Sequence, residues 1–310
     1  MSTLRRLALP LLVLFALAGC GTATATAPAA SVATSSTAAA ADVFPVTLDS
    51  GKGQITIKAK PSRIVSLSPS ATELLYAMGA GQQVVAVDEF SNYPANAPKT
   101  TLSGFQPNVE AILAYTPDLV VTSGDTNGIV DTLGKAGVPV LVNAAPATIE
   151  AGYPAITALG RATGRSPETA KLIDTMKVQL QAAFDSAPKV PVRVYHELDS
   201  KLYAASSASF IGSVYTQLGA KNIADEADPG KTGYPQLTAE AILKADPQVI
   251  VITDQSGLTA ADIAKRPGWE TLSAVKNNHV VVVSADVSSR WGPRLPQLVS
   301  DLSKALGAVT

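Results

Sequence analysis

The sequence predicts an α/β protein of two lobes, each with a mainly parallel central sheet, joined by a single long helix. Strand and helix patterns alternate over residues 62–147 and again over residues 190–310, which is typical of parallel sheets. Between these regions two helical patterns follow one another without a strand. A short helix-and-strand unit also occurs once in each half of the chain. A length of 310 residues with 46% hydrophobic content is sufficient for two packed lobes.

The N-terminal segment, residues 1–19, is predicted to be a lipoprotein signal peptide. Arg5 and Arg6 precede an apolar run, and the sequence LAGC then ends at Cys20, the only cysteine of the chain. The apolar run is shorter than a transmembrane span. Cleavage before Cys20 would leave its thiol for lipid attachment, whereas an ordinary secretory signal with a chance cysteine is the alternative.

Residues 20–42 are predicted to be a lipidated cysteine followed by a flexible tether. The segment is rich in Ala, Thr and Ser without hydrophobic periodicity, so it cannot bury enough apolar surface to offset its ordering entropy. A lipid, a tether and a globular body predict an extracytoplasmic protein. It would be anchored to the outer face of the cell membrane, in a periplasm or at a cell surface.

The N-terminal lobe is assigned to residues 43–164. It opens with a predicted hairpin, PVTLDSGKGQITI, around a glycine-containing turn. After the strand RIVSL, Ser68 and Pro69 provide an N-cap and a first-position proline, which predict a helix to Gly79. The following predicted elements are strand 84–87, a helix capped by Asn108, strand 118–122, helix 128–136 and strand 138–142.

The two lobes are predicted to be joined by a helix over residues 165–188, preceded by a helical pattern from about residue 148. The apolar positions of the joining helix that recur at roughly helical spacing are Ala170, Ile173, Val178, Leu180 and Phe184. The C-terminal lobe is assigned to residues 189–310. Its predicted elements are strand 192–198, helix 209–219, a helix-and-strand unit at 238–253, strand 279–284 and helix 296–307.

The repeated unit reads NVEAILAYTPDLVVT at residues 108–122 and TAEAILKADPQVIVIT at residues 238–253. Both copies contain Glu-Ala-Ile-Leu, three variable residues, a proline and then a β-branched strand, so Glu110 corresponds to Glu240. A single Glu in a first helical turn is explained by the helix macrodipole alone. Because two equivalent carboxylates occur in the two halves of the chain, we expect them to share one role.

An ordered set of segments runs along the chain: RIVSLSPSATELLYAMGAG, the SNYP loop at 91–94, both EAIL units, GYPQLTAEAIL and SADVSSRWGPR. Together they resemble the iron/vitamin B12 class of substrate-binding proteins that serve ABC importers, over roughly residues 44–306. The resemblance implies two α/β lobes bridged by one long helix, with a small-molecule ligand in the cleft. It also implies a non-enzymatic protein that delivers ligand to a dimeric permease with a cytoplasmic ATPase. We expect a monomer that needs no cofactor.

The resemblance also implies site residues. In similar proteins one surface glutamate on each lobe meets arginines of the permease, and the matching positions are Glu110 and Glu240. Loops after strands and matches to vitamin B12-binding members predict these ligand-binding residues: Ser68, Pro69, Phe90, Phe105, Tyr203, Tyr234, Asp286, Arg290 and Trp291. Taken singly, each aromatic residue could instead anchor its loop, and the Asp–Arg pair could be a surface ion pair. Arg294 is predicted only to cap or decorate the last helix.

A corrinoid is the leading ligand, because aromatic residues with one Asp–Arg pair suit a large, nearly neutral molecule. A ferric siderophore is second, since an anionic one would call for several cationic residues and only Arg290 can be placed in the cleft. Haem is third. Similar haem binders carry a tyrosine where this chain has Phe105, which leaves Tyr93 and His196 as ligands.

Other function classes are disfavoured. A metal-ion binder would need several converging ligands, and the two histidines, His196 and His279, are far apart in sequence. A secreted hydrolase would need a motif such as G-x-S-x-G or H-E-x-x-H, and neither is present. A structural adhesin would not explain the paired carboxylates. A net charge of −1 without a basic stripe argues against a nucleic-acid partner.

Overall fold

A computed structural model describes residues 42–188 and 191–309 of the chain. The predicted signal peptide, Cys20 and the tether up to residue 41 lie outside the described residues. In the part of the chain that is described, no helix combines the length and the apolar character that crossing a membrane requires.

The N-terminal lobe is built on a four-stranded parallel sheet with the strand order β4-β3-β5-β6. A separate antiparallel hairpin, β1 (Val46–Asp49) with β2 (Gln54–Ile57), precedes it. The sheet strands and their helices are β3 (Ile64–Leu67), α1 (Pro69–Ala77), β4 (Val84–Val87), α2 (Val109–Leu113), β5 (Leu119–Thr122), α3 (Ile129–Lys135) and β6 (Val140–Val142). The elements predicted for this lobe are present, with ends that differ by at most two residues.

Two consecutive helices leave the N-terminal lobe, α4 (Ile149–Thr163) and α5 (Ser166–Asp185). α4 ends at Gly164, whose φ of +67° lies in the left-handed region that favours glycine. Arg165 is the N-cap of the long helix, which begins at Ser166, so no strand lies between the two helices.

The C-terminal lobe repeats the parallel architecture with the strand order β10-β9-β7-β8. Its elements are β7 (Arg193–His196), α6 (Phe210–Gln217), β8 (Lys221–Asn222), α7 (Ala239–Ala245), β9 (Val249–Thr253), α8 (Ala260–Ala264), α9 (Ser273–Lys276), β10 (Val280–Val283), α10 (Ala285–Ser288) and α11 (Leu295–Gly307). The unanticipated elements, β8, α8, α9 and α10, have at most five residues each, too few for a periodic hydrophobic pattern to emerge.

The long helix α5 packs between α4 and α11. Its buried side chains are Thr169, Ile173, Met176, Leu180 and Ala183. The predicted apolar positions were partly wrong, because Ala170 is exposed and Val178 is 70% exposed. Val178 lies five residues after Ile173, about 140° around the helix, whereas steps of three and four residues stay on one face.

Two α/β lobes with parallel sheets, linked through α5, confirm the predicted fold class. One cluster of buried apolar side chains is continuous from the hairpin through α1, α4 and α5 to α11. The boundaries assigned to the lobes at residues 43, 165 and 189 stay predictions.

Candidate ligand cleft and docking carboxylates

A cavity of about 410 Å³ lies where the strands of the N-terminal sheet end, facing the segment that follows β10. Each strand of that sheet contributes a residue just past its carboxyl end: Ser68, Asp88, Ser123 and Asn143. α4 contributes Gly152 and Ala155, and the C-terminal lobe contributes Gln255, Asp286, Ser289, Arg290 and Trp291. Ligands of parallel α/β sheets bind at carboxyl ends of strands, so this cavity is the candidate site.

Most of the predicted ligand-binding residues line this cavity, namely Ser68, Pro69, Phe90, Phe105, Asp286, Arg290 and Trp291. Tyr203 and Tyr234 do not line it. They are 39% and 55% exposed on the C-terminal lobe, and the backbone of Tyr203 is paired with that of Gln236. The structure therefore brings seven of the nine together and leaves two tyrosines on exposed segments of the other lobe.

Phe90 and Phe105 form an edge-to-face pair with ring centroids 5.7 Å apart. They are 50% and 73% exposed, so neither ring anchors its loop in the core. An exposed aromatic pair beside a cavity is an apolar surface that a ligand can cover.

Trp291 forms a buried wall of the cavity and is 5% exposed. Its indole lies edge-to-face with Tyr153 at 5.9 Å and rests directly against Gly152 of α4. A Cβ at Gly152 would lie 2.1 Å from the indole ring, so only glycine admits this packing.

Arg290 connects the two lobes at the base of the cavity and is 8% exposed. One terminal nitrogen donates to Glu73 Oε1 at 3.1 Å and to Asn92 Oδ1 at 2.7 Å. The other donates to the carbonyl oxygen of Phe90 at 3.0 Å and to Asp286 Oδ1 at 2.7 Å. The Asp286–Arg290 pair is thus part of a buried network rather than a surface ion pair.

Arg294 joins the same network, and the prediction that it only caps or decorates the last helix was wrong. Its Nε donates to Glu73 Oε2 at 2.8 Å, and its guanidinium lies over the ring of Tyr93 at 4.4 Å. The hydrogen bond and charge of Glu73 raise the pKa of Arg294. The side chain of Arg294 makes no capping hydrogen bond to the start of α11.

Sequence reasoning missed Glu73 and Asp88. Glu73 lies within the run Ala71–Leu75 of α1, which is buried at every position, so a carboxylate there requires cationic partners. The available signal in the sequence was a carboxylate whose neighbours in the helix, directly after a β-branched strand, are Ala, Thr and Leu. Asp88 follows the buried strand β4 directly and is 3% exposed.

His196 is not accessible as a haem ligand. It is 2% exposed at the end of β7, and its Nδ1 lies 2.8 Å from the hydroxyl of Tyr215. Burial lowers the pKa of His196 to about 4. Tyr93 is 45% exposed and packs under Arg294. Among the described residues, no group of three or more His, Cys, Asp or Glu side chains is arranged to hold a metal ion.

The buried histidine predicts a pH dependence of stability. In the unfolded chain His196 gains a proton near pH 6.5, whereas in the folded protein it does so only near pH 4. The unfolded state therefore binds more protons between these values, and the contribution of His196 lowers the free energy of unfolding by about 3 kcal/mol as the pH drops from 7 to below 4. His196→Gln should flatten this slope in urea denaturation measured across pH, while the control His279→Gln should keep it. If the free energy of unfolding had the same pH dependence in the parent and both variants, His196 would not be the source of that dependence.

Glu110 and Glu240 occupy equivalent places in the two lobes. Each is the second residue of a helix, α2 or α7, and each is exposed. Asn108 and Thr238 cap the two helices in the same way, accepting a hydrogen bond from the backbone N–H three residues later. In the described part of the chain, the carboxylate of neither glutamate makes a hydrogen bond or ion pair.

The duplication extends beyond the repeated sequence. Thr116 and Asp246, each just before the proline of its unit, both have a φ of +45°. The guanidinium of Arg63 donates to the carbonyl oxygens of Tyr115 and Thr116 at the end of the α2 unit. Arg193, at the start of β7, donates to the carbonyl oxygens of Ala245 and Asp246 in the same manner. Each arginine therefore braces one glutamate-bearing helix against the first strand of its lobe's sheet.

Two α/β lobes linked by a helix, with a cavity lined from both, define a ligand-binding protein of the class that presents small molecules to membrane importers. The chain belongs to the periplasmic binding protein family, whose family model matches residues 64–287. The resemblance deduced from the sequence is thereby confirmed.

Individual relatives agree with this assignment. An ABC transporter substrate-binding lipoprotein of Bacillus subtilis (strain 168), YvrC, is 35% identical over 278 residues, 86% of each chain. A cobalamin-binding protein of Halobacterium salinarum (strain ATCC 29341 / DSM 671 / R1) is 32% identical over 280 residues, 86% of this chain and 75% of the relative. The crystal structure of the periplasmic vitamin B12 binding protein BtuF of Vibrio cholerae matches with a TM-score of 0.69 at 27% identity, covering 81% of this chain and 98% of that one.

The family sets the general function. The chain is a non-enzymatic, extracytoplasmic substrate-binding component of an ABC transporter, with a small-molecule ligand and a permease and ATPase as partners. Solved structures of the same fold also include a possible iron-binding protein of Staphylococcus epidermidis ATCC 12228 and the periplasmic heme-binding protein HutB of Vibrio cholerae. Family membership therefore identifies the role without fixing the ligand.

Proposed function

We propose that this protein captures a corrinoid of the vitamin B12 type between its lobes and delivers it to the permease. The observation that carries this proposal is the state of Arg290. Of the residues that line the cavity, Arg290 alone is cationic, and both of its terminal nitrogens already donate to protein acceptors. An anionic ferric siderophore would meet no unpaired cation there, whereas a large, nearly neutral ligand would need none.

The size of the cavity suits part of such a ligand. A volume of about 410 Å³ lies in the range of small-molecule sites. A ligand larger than this would fill the cavity with one portion and cover the exposed rings of Phe90 and Phe105 with another. Tyr203 and Tyr234, which lie outside the cavity, would contact the portion that remains in the cleft.

The proposal includes how the protein is held and how it docks. Lipid attachment at Cys20 would anchor the body to the outer face of the membrane. Glu110 and Glu240, exposed at equivalent places, would meet two equivalent cationic sites on a permease dimer. Charge-assisted pairs of this kind set registration and encounter rate.

Titration calorimetry with cyanocobalamin tests the ligand. We expect one saturable site at micromolar affinity or tighter. Phe105→Ala should weaken binding about tenfold, because an aromatic contact contributes on the order of 1 kcal/mol beyond its buried area. Val178→Ala, which removes an exposed apolar side chain from α5, is the matched control and should bind as the parent does.

The same experiment distinguishes the alternatives. Saturable binding of a ferric siderophore without binding of cyanocobalamin would identify the ligand as a siderophore and the protein as part of an iron importer. The general role in import would be unchanged. Binding of haem with a ligand-to-iron absorption band that Tyr93→Phe removes would favour haem instead.

A further inference from the structure

We propose that Asp88 is a specificity-determining residue of the cavity, and that its carboxylate accepts a hydrogen bond from an uncharged N–H or O–H donor of the ligand. A primary carboxamide, as on the periphery of a corrinoid, is such a donor. The inference rests on the proposed function and refines it, because it names the chemical group that the inner cavity recognises.

The position of Asp88 singles it out. It directly follows β4 and lines the cavity while being only 3% exposed. Its Oδ1 accepts a hydrogen bond from the hydroxyl of Ser91. In the described part of the chain no hydrogen bond reaches Oδ2. Oδ2 is unpaired, yet it is not one of the enclosed side-chain atoms without a partner among the described residues. It is therefore accessible, and a ligand donor in the cavity can reach it.

Gly104 packs closely against the carboxylate of Asp88. It also lines the cavity, and a Cβ built on it would lie 2.9 Å from Asp88 Oδ2 and 2.6 Å from the carbonyl oxygen of Leu67. A side chain at position 104 would press on the carboxylate and on the backbone of Leu67, so glycine is required for Asp88 to keep its place in the cavity wall.

A chain of buried hydroxyl groups holds the carboxylate in place. The Thr72 hydroxyl lies 2.8 Å from that of Ser91 and 2.9 Å from that of Ser66, and donating its proton to Ser91 connects it to the carboxylate. Ser91 in turn donates to Asp88. The network satisfies one carboxylate oxygen and orients the other, which is how a polar site gains selectivity.

The surrounding charges favour a donor over an anion. Asp88 and Asp286 both line the cavity, and Arg290 is engaged by protein acceptors. A ligand carboxylate placed beside Asp88 would face a like charge without an available cation. A site built around one hydrogen bond discriminates strongly against an analogue that cannot form it.

The test uses the full chain in detergent and titration calorimetry with cyanocobalamin. A panel of derivatives, each with one peripheral carboxamide hydrolysed to a carboxylate, provides the comparison. In the parent protein at least one derivative should bind at least about tenfold more weakly than cyanocobalamin. Asp88→Asn should weaken cyanocobalamin binding about tenfold and remove the discrimination against that derivative. Asp174→Asn, at an exposed position of α5, is the matched control.

Each outcome decides the inference. Binding of cyanocobalamin by Asp88→Asn within twofold of the parent, with discrimination retained, would overturn it. Absence of cyanocobalamin binding by the parent would overturn the proposed function instead. In that case the melting temperatures of the ligand-free parent and of ligand-free Asp88→Asn decide whether Asp88 has a structural role. An unchanged or higher value for Asp88→Asn supports a carboxylate kept for a ligand, and a lower value shows a structural carboxylate.

Discussion

Replacing Glu73 by alanine is expected to lower the free energy of unfolding by about 3–5 kcal/mol. The side chain of Glu73 is 1% exposed, and its two oxygens accept from both Arg290 and Arg294 of the other lobe. Removing the carboxylate leaves two guanidinium groups, 8% and 19% exposed, without their shared counter-charge. Urea denaturation followed by circular dichroism measures the change.

An exposed ion pair supplies the control for Glu73. Glu168 pairs with Arg165 at 3.2 Å, but its side chain is 46% exposed. Glu168→Ala should therefore cost no more than about 1 kcal/mol. Glu73→Gln should be intermediate, because its amide oxygen still accepts a hydrogen bond while the charge is lost. Equal losses for Glu73→Ala and Glu168→Ala would refute a buried inter-lobe network.

The network bears on how the lobes move. Glu73 lies on α1 of the N-terminal lobe, whereas Arg290 and Arg294 lie between α10 and α11 of the C-terminal lobe. The two lobes are thus tied by α5 and, independently, by buried ion pairs beside the cavity. Both connections oppose wide opening, so ligand entry should require only small displacements around the cleft.

The fold could be predicted because its signals are local. Ser68 caps α1 and Pro69 occupies its first position, as the sequence Ser-Pro indicates. The repeated EAIL units likewise gave two helices followed by two buried strands, since hydrophobic period and proline placement act within about a dozen residues.

The site was less predictable because it depends on distant pairs. Glu73 and Arg290 are 217 residues apart, and no local pattern links them. Trp291 packs on Gly152 because glycine has no side chain to obstruct the indole. A single sequence does not reveal this contact between distant residues. Val178, which is exposed, was assigned to the buried face of its helix for the same reason. An apolar residue is easily placed in the core when the residues that pack around it are unknown.

The two glutamate-bearing helices are related by the approximate symmetry of the lobes, which suits the proposed docking on a permease dimer. Arg63 and Arg193 brace the ends of the two units in the same way, so the two helices carry their glutamates in matching local frames. Neither carboxylate has a partner among the described residues. A permease made of two identical subunits offers two identical sites, and this pair of helices supplies two similar surfaces for them.

Changing both glutamates to alanine is therefore expected to abolish uptake while ligand affinity and stability remain as in the parent. In the docked complex each carboxylate would be buried against its cationic site. Truncating one partner of a buried, hydrogen-bonded charge pair costs about 2–5 kcal/mol, so losing two should reduce transport at least about a hundredfold. Glu150→Ala is the matched control, because Glu150 is also exposed and is also the second residue of a threonine-capped helix, α4. Accumulation of labelled cyanocobalamin by cells that carry each variant as their only copy measures transport. Retained uptake in Glu110→Ala/Glu240→Ala would show that the duplicated carboxylates serve only their helix ends, and equal loss in Glu150→Ala would show a general effect of surface charge.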